Sequence, residues 1–342
     1  NQGQGGWPRT VVLTPDLKPF FAGTYFPPKD AYGRPGFPTL LSSLAEMWHK
    51  DQEKLVSQAE TIVNHLNSAS NEISKVNSNV SNIALSHWNS NFDKRWGGFG
   101  QAPKFPNSGA ILHLLNDYNV NDNQTSLYSA VKTLDSMFQG GIYDHVGGGF
   151  ARYSVDEKWL VPHFEKMLYD NAQLMEAYLV GYQLTKNEDY LTVISQILEW
   201  LKDEMIDENG GFYSSMDADS EGVEGKYYVW KPKEIEEVLS ETDAKIFNQY
   251  YDISKSGNWE GNSIPNIIMK KSSLSTLLKI PESEISSSLE KSRLAIKEHR
   301  KSRIAPGTDD KIIVSWNGLM ISSLAKVSAF LGDKEYFEIA DR

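Results

Sequence analysis

The stretch GGIYDHVGGGFARYSVDEKWLVPHFEKMLYDN, residues 140–171, sets two histidines, five acidic residues and five glycines around a short apolar core. Imidazoles titrate near neutrality and carboxyls can be tuned to do so, which makes such a stretch able to give and take protons. In VPHFEKMLYDNA, Pro162 suits the first position of a helix. A helical wheel then puts His163, Lys166, Met167 and Asp170 on one face and Phe164, Leu168 and Met175 on another. A purely structural account is also open: Glu165 complements the helix N-terminus, Lys166 and Asp170 form an i,i+4 pair, and His163 is a satisfied structural histidine.

Upstream, Asp144 and His145 stand just before three glycines, a loop in which backbone can closely approach a ligand or in which Asp and His simply bond within the turn. No Ser-His-Asp spacing or nucleophile elbow is present. The run DADSEG, with Asp217, Asp219 and Glu221 before Gly222, imitates the start of an EF-hand, but its twelfth position is Tyr228 instead of a bidentate Glu. No metal site and no cofactor are expected; the acidic loop is read as solvated or hydroxyl-binding, ahead of a strand-like KYYVW. In DDKIIVSWNGLM, Ser315 makes a good N-cap, and Trp316 and Asn317 open a helix behind Asp309, Asp310 and Lys311. Trp and Asn at an inner helix start can stack on and hydrogen-bond a carbohydrate, or serve as core and cap partner. The 9 Trp and 16 Tyr suit either a sugar-stacking cavity or an ordinary core.

The elements that must position these groups follow from periodicity. Residues 10–26 give a β-branched run, a turn at Pro15-Asp16 and a second run ending in aromatics, which reads as a hairpin. Apolar positions from Thr39 to Leu66 recur at helical spacing, and residues 64–82 are Ser- and Asn-rich, where a domain boundary is expected. Beyond it helical patterns come in pairs, from SGAILHLLNDY with SLYSAVKTLDSMF to SWNGLMISSLAKVSAFL. Between them a signature recurs as RWGGFGQAPKF, GGGFARYSVD and GGFYSSMDADSEG, a weak internal repeat with a step of roughly 50–60 residues. Helical hairpins joined by one loop type suggest a toroid.

Composition narrows the function classes. At 342 residues the chain is long enough for about two domains. It is 40% hydrophobic and 23% charged, and no apolar run approaches the roughly 20 residues of a membrane span. A net charge of -11 with scattered Lys and Arg would repel a phosphate backbone, so nucleic acid is not an expected partner. The chain has no cysteine, hence no disulfide, thiolate metal site or thiol nucleophile, and this leans toward a cytoplasmic setting. The first residue is Asn1 and the last residues, YFEIADR, look helical, so an internal fragment is expected. Oligomeric state is not legible.

The motifs GQGGWPRTVVLTPDLKPFFAGTYFPP, GGIYDHVGGGFARYSVDEKWLVPHFEKMLYDNA, GGFYSSMDADSEG, GNWEG and DDKIIVSWNGLM together resemble the family of spermatogenesis-associated protein 20, also described as YyaL or DUF255. The resemblance implies a mainly α protein: the C-terminal half of a thioredoxin-like α/β domain over residues 1–48, a helical connection and linker over 49–82, and an incomplete (α/α)6 toroid, similar to N-acylglucosamine 2-epimerases and six-hairpin glycosidases, over 83–342. It implies that Pro8 stands at the place of the thioredoxin-like cis-proline. It further implies a carbohydrate-like small molecule, isomerised or hydrolysed, with His163 and His145 as acid/base groups on the two faces of the reacting carbon and Asp144, Asp170 and Glu165 as their aids. Trp316, Asn317, Asp217, Asp219, Glu221 and Asp310 would bind hydroxyls. The alternative is a thioredoxin-like redox or quality-control protein whose toroid is a non-catalytic scaffold.

Overall fold

The computed structural model describes residues 9–31, 33–70 and 79–342, and the chain divides into two compact units, Asn1–Val80 and Ser81–Arg342. Pro8 lies outside the described residues. In the first unit, β1 (Thr10–Leu13) and β2 (Pro19–Gly23) pair antiparallel, with Thr10 opposite Gly23, across a turn in which Leu17 donates to the Thr14 carbonyl at 2.9 Å. Helix α1 (Phe37–Lys50) follows; the Asp30 carboxylate anchors its start by accepting from the Gly36 N–H at 2.6 Å and the Thr39 hydroxyl at 2.8 Å. It turns into α2 (Gln52–Ser70), which packs on β2. Leu40, Leu44, Leu55 and Ala59 are buried there. The first unit thus runs β-β-α-α, with the expected hairpin first. Helix α2 runs through residues 64–70 of the Ser/Asn-rich segment, and residues 71–78 lie outside the described residues.

The second unit is helical: α3 (Val80–Asn91), α4 (Ser108–Asn121), α5 (Gln124–Gln139), α6 (Leu168–Thr185), α7 (Glu188–Trp200) with a π-helical turn Leu201–Met205, α8 (Pro232–Val238), α9 (Glu241–Tyr250), α10 (Lys271–Leu278), α11 (Glu282–Arg300), α12 (Val314–Leu331) and α13 (Lys334–Asp341). Two-residue strands link them: β3 (Tyr153–Ser154), β4 (Pro162–His163), β5 (Lys166–Met167), β6 (Ser215–Met216), β7 (Asp219–Ser220), β8 (Val223–Glu224) and β9 (Thr308–Asp309). Helices α4, α6 and α12 lie side by side, and each forms a hairpin with the helix that follows it, α5, α7 and α13. The arrangement is an arc of an α/α toroid. Asn123, Asn187 and Asp333 cap α5, α7 and α13 with their side chains, which ends each hairpin turn where the outer helix must begin. Between the π-helical turn and α12, helices α8–α11 leave the arc and bury their own core around Trp230, Phe247, Leu274, Ile285 and Ile296. The Ser-rich α10 carries no apolar stripe in the sequence beyond three leucines, of which only Leu274 is buried.

The sequence repeat is one loop built three times, after α3, after α5 and after the π-helical turn. In each, an Asp takes backbone N–H groups of its own turn: Asx-type bonds run from Arg95 and Trp96 to Asp93, from Val146 and Gly147 to Asp144, and from Asn209 and Gly211 to Asp207. A bridge then pairs Phe92 with Phe99, Tyr143 with Phe150, and Ile206 with Phe212. The next inner helix clamps the phenylalanine backbone. Asn171 of α6 accepts from the Phe150 N–H at 2.7 Å and donates to its carbonyl at 3.0 Å; Asn317 of α12 does the same for Phe212 at 2.8 and 3.0 Å. The close approach expected of the glycines is to the protein itself. Gly148 has φ +81°, and a Cβ there would collide with the Gln196 carbonyl of α7.

Because each clamp satisfies a buried N–H and a buried C=O, Asn171→Ala and Asn317→Ala should each cost about 2–4 kcal/mol of stability, read as a lower urea midpoint. A loss below about 0.5 kcal/mol for both would refute the clamp.

Candidate functional site

Residues 162–167 are extended, not helical. Tyr153 pairs with His163, Arg152 donates to the Glu165 carbonyl at 2.8 Å, and Lys166 pairs with Met216, so α6 starts only at Leu168. This overturns the helical wheel that began at Pro162. Over five residues the buried Phe164 and Lys166 alternate with the part-exposed His163 and Glu165, a period of two that so short a window does not separate from a helical one. The Lys166–Asp170 pair is likewise absent, since Lys166 points to the other side.

On that other side the side chain of Asp144 is 8% exposed. It receives Arg300 Nη1 at 2.9 Å, Lys166 Nζ at 2.8 Å and two backbone N–H groups at 3.0 Å. Burial opposes its charge, but Arg300 and Lys166 outweigh burial and hold the carboxyl well below the usual carboxylate range. His145 packs against Tyr143 and Tyr251, and its Nε2 lies 3.0 Å from the Gly140 carbonyl, which can only accept. Burial lowers its pKa to about 4, leaving a neutral imidazole. His145 and His163 therefore sit on opposite faces of the extended segment, and they cannot share one carbon as acid and base.

The exposed face of the segment gathers a different group. Arg152 Nη1 donates to Glu165 Oε2 at 3.0 Å, and His163 Nε2 lies 3.9 Å from the same oxygen. His163 Nδ1 is 2.8 Å from Glu224 Oε1, and its ring stacks on Tyr153 with centroids 5.0 Å apart. In the first turn of α6, Tyr169 meets Trp316 edge-on at 4.8 Å. Asp170 lies between: burial pushes its carboxyl up to about 7, Arg152 opposing and Glu165 adding to the shift. Asp170 Oδ2 and Arg152 Nε are both buried without a hydrogen-bond partner. An acceptor and a donor are thus left over beside two aromatic rings. The sequence does not single out Arg152, Tyr153, Tyr169 or Glu224; the ARY tripeptide after the glycines is the nearest signal.

Of the other candidates, only Trp316 joins this wall. The carboxamide of Asn317 is spent on Phe212 and on the Ile313 carbonyl at 3.1 Å, so it has no role open toward a sugar. Ser315 is no N-cap: the cap position is Ile313 and Ser315 lies in the first turn. Asp217, Asp219 and Glu221 are exposed. Asp217 takes the Asp219 N–H at 3.3 Å, while Glu221 and Gly222, with φ +53° and +74°, make the tight turn joining β7 to β8. Glu221 pairs with Lys226. KYYVW is a turn, from which only Trp230 pairs, with Ser263. Asp310 is exposed beyond β9. Among the described residues no three His, Cys, Asp or Glu side chains are grouped to hold a metal ion, and no helix is long and apolar enough to cross a membrane.

The two titrations act in opposite directions. Asp170 binds its proton more tightly in the fold, so its contribution is complete below the unfolded value of 3.8 and is lost as pH rises through about 7. His145 binds its proton less tightly, so its contribution is present above 6.5 and is lost as pH falls toward about 4. Asp170→Asn should therefore raise the unfolding free energy at pH about 8 by more than at pH about 5. Equal changes at both pH values in urea titrations would show that Asp170 is not held protonated.

Residues 1–67 match a family model described as a protein of unknown function, DUF255, with the label Thioredox_DsbH. An uncharacterized protein of Caenorhabditis elegans is 36% identical over 374 residues, covering 100% of this chain and 51% of its own length. Spermatogenesis-associated protein 20 of Homo sapiens is 36% identical over 377 residues, 98% of this chain and 47% of its own length. The chain spans about half the length of the curated relatives it matches. Among solved structures, a family 76 glycoside hydrolase from a Bacteroides thetaiotaomicron strain aligns with 70% of this chain and 33% of that one at 14% identity and TM-score 0.40. Cellobiose 2-epimerase from Bacillus thermoamylovorans aligns with 77% of this chain and 84% of that one at 13% identity and TM-score 0.37. The resemblance drawn from the sequence motifs stands, and the chain is a relative of the spermatogenesis-associated protein 20 family with a DUF255 segment at its start.

Proposed function

We propose that the helical unit binds a carbohydrate-like small molecule against the wall of Arg152, Tyr153, His163, Glu165, Tyr169, Asp170 and Trp316, and isomerises or hydrolyses it by proton transfer. One observation carries this reading: Asp170 Oδ2 and Arg152 Nε are each buried and unpartnered, the two groups influence each other's charge, and Tyr169, next to Asp170 in the chain, meets Trp316 edge-on. A hydroxyl group is both donor and acceptor, so it satisfies such a pair, and the indole and phenol offer flat faces to a sugar ring.

Asp170 stands in the first turn of α6, where the helix N-terminus favours a carboxylate, yet burial wins and its pKa is about 7. A carboxyl poised there can protonate a carbonyl or leaving oxygen and can take a proton back. Arg152 keeps Glu165 in place as a charged neighbour, and His163, fixed by Glu224, supplies the second proton-transfer group. This assignment replaces the pairing of His163 with His145. The second reading, a thioredoxin-like redox or quality-control protein with a binding-only helical unit, is favoured by the DUF255 match over residues 1–67. The present residues supply no thiol to it.

With the intact protein and a panel of aldoses, N-acyl sugars and oligosaccharides, at least one compound should raise the melting temperature and be converted. Asp170→Asn should cut turnover by about 10²–10⁴ while binding persists, and Trp316→Ala should weaken binding roughly tenfold. Binding without turnover favours the second reading; neither shift nor turnover across the panel rejects both uses of the wall.

A further inference from the structure

A second recess lies apart from this wall and shares no residue with it. It measures about 380 Å³ and is lined by Glu204, Tyr227, Lys297, Arg300, Lys301 and Arg303 among others. That volume is in the range of small-molecule sites. Glu204 reaches it from the π-helical turn Leu201–Met205 that ends α7, an irregularity that often marks functional positions. The turn shifts the helix register so that Glu204 faces inward while Lys202 and Asp203 stay exposed.

The charges here are not all fixed in place. Arg300 is committed to Asp144, and Arg303 to Glu234 and to the Tyr227 and Val229 carbonyls. Lys297 is shared between Glu199 and Asp203 at 2.8 Å each. Lys301 has only an exposed partner three residues away, Glu298, and pairs of that kind hold a side chain weakly. Four cationic side chains line the recess against two acidic ones, Asp203 and Glu204, in a chain whose net charge is -11. Glu204 Oε2 is buried with no hydrogen-bond partner. A bare anion would leave that oxygen unsatisfied and be repelled by it, and a neutral polyol would leave Lys301 with only its exposed neighbour Glu298. The ligand that fits must bring an anionic group and a hydroxyl donor together.

We propose that this recess is a binding site for a small phosphorylated polyol of the sugar phosphate class. Its phosphate lies against Lys301 at the rim, with Lys297 behind it, and one of its hydroxyls donates to Glu204. Tyr227, held by the Arg300 guanidinium 4.7 Å from its ring centroid, forms the wall beside the carbon skeleton.

Calorimetry of the intact protein with glucose 6-phosphate, inorganic phosphate and glucose as probes tests the site. Glucose 6-phosphate should bind more tightly than either fragment, with an affinity that falls as salt rises from about 0.05 to 0.5 M. Lys301→Ala should weaken glucose 6-phosphate and phosphate alike, by about fivefold. Glu204→Gln should weaken glucose 6-phosphate about tenfold and leave phosphate equal or tighter, because a lost acceptor affects only the hydroxyl-bearing probe. Asp170→Asn should leave all three unchanged, which separates this site from the wall. The proposal is overturned if glucose 6-phosphate gives no binding heat, if Lys301→Ala and Glu204→Gln both bind it like the parent protein, or if Asp170→Asn abolishes its binding.

Discussion

The buried carboxylate of Asp144 is the charge around which this half of the molecule is arranged. It takes two backbone N–H groups of its own loop, the ammonium of Lys166 from β5 and the guanidinium of Arg300 from the last turn of α11. Three segments far apart in sequence are tied at one carboxyl. A buried ion pair need not add net stability, but removing one partner strands the other, so the three groups stand or fall together. Lys166 can reach Asp144 only if residues 162–167 are extended, and in an extended segment its neighbour Glu165 and His163 must face the opposite way. The burial of one lysine thus fixes the orientation of the candidate proton-transfer groups.

The same device is present upstream with smaller reach. Lys104 donates to Asp93 and to the Gly97 carbonyl, as Lys166 does to Asp144 and the Gly148 carbonyl. In the third loop Asp207 bonds only within its own turn and with Asn209, and the clamp by Asn317 does the work of fixing the loop. What distinguishes the middle loop is Arg300, delivered by the α8–α11 excursion. The excursion is connected to the arc through Arg293 as well, which bonds Glu199 of α7 at 3.0 and 3.2 Å and the Val146 carbonyl at 3.4 Å. The four extra helices thereby brace the loop that the toroid repeat alone leaves with one cation.

Long periodic segments were legible in the sequence because their apolar positions recur over several turns, as in α5, α6, α7 and α12; the β-branched run at Thr10–Leu13 was legible for the analogous reason in a strand. The segment at 162–167 was not. Its conformation is decided by what its backbone bonds across to, Tyr153 on one side and Met216 on the other, and no local pattern carries that information. Asn171 and Asn317 were hidden differently. They do one job, but the first follows its phenylalanine by 21 residues and the second by 105, so the excursion obscures the repeat. Trp316 was found by type alone, and its partner Tyr169 lies in a stretch whose aromatics look like core.

Polar satisfaction separates the groups that hold the fold from the candidate site groups more sharply than residue type does. Asp144 and Asp170 are both carboxyls in one motif and both are buried, yet the first has two cations and two N–H groups while the second leaves an oxygen without a donor. Their proton affinities diverge accordingly, the first falling far below the ordinary range and the second rising to about 7. His145 and His163 divide in the same way: the one is sealed among Tyr143, Phe138 and Tyr251, the other is stacked on Tyr153 with a carboxylate at each ring nitrogen. A fold can tolerate an unsatisfied buried oxygen only where some other gain offsets it; among the described residues Tyr228, Asn248 and Gln249 each carry one as well, but only those of Asp170 and Glu204 belong to carboxyl groups. In both proposed sites the ligand reading rests on the unpartnered carboxyl oxygen and not on a histidine.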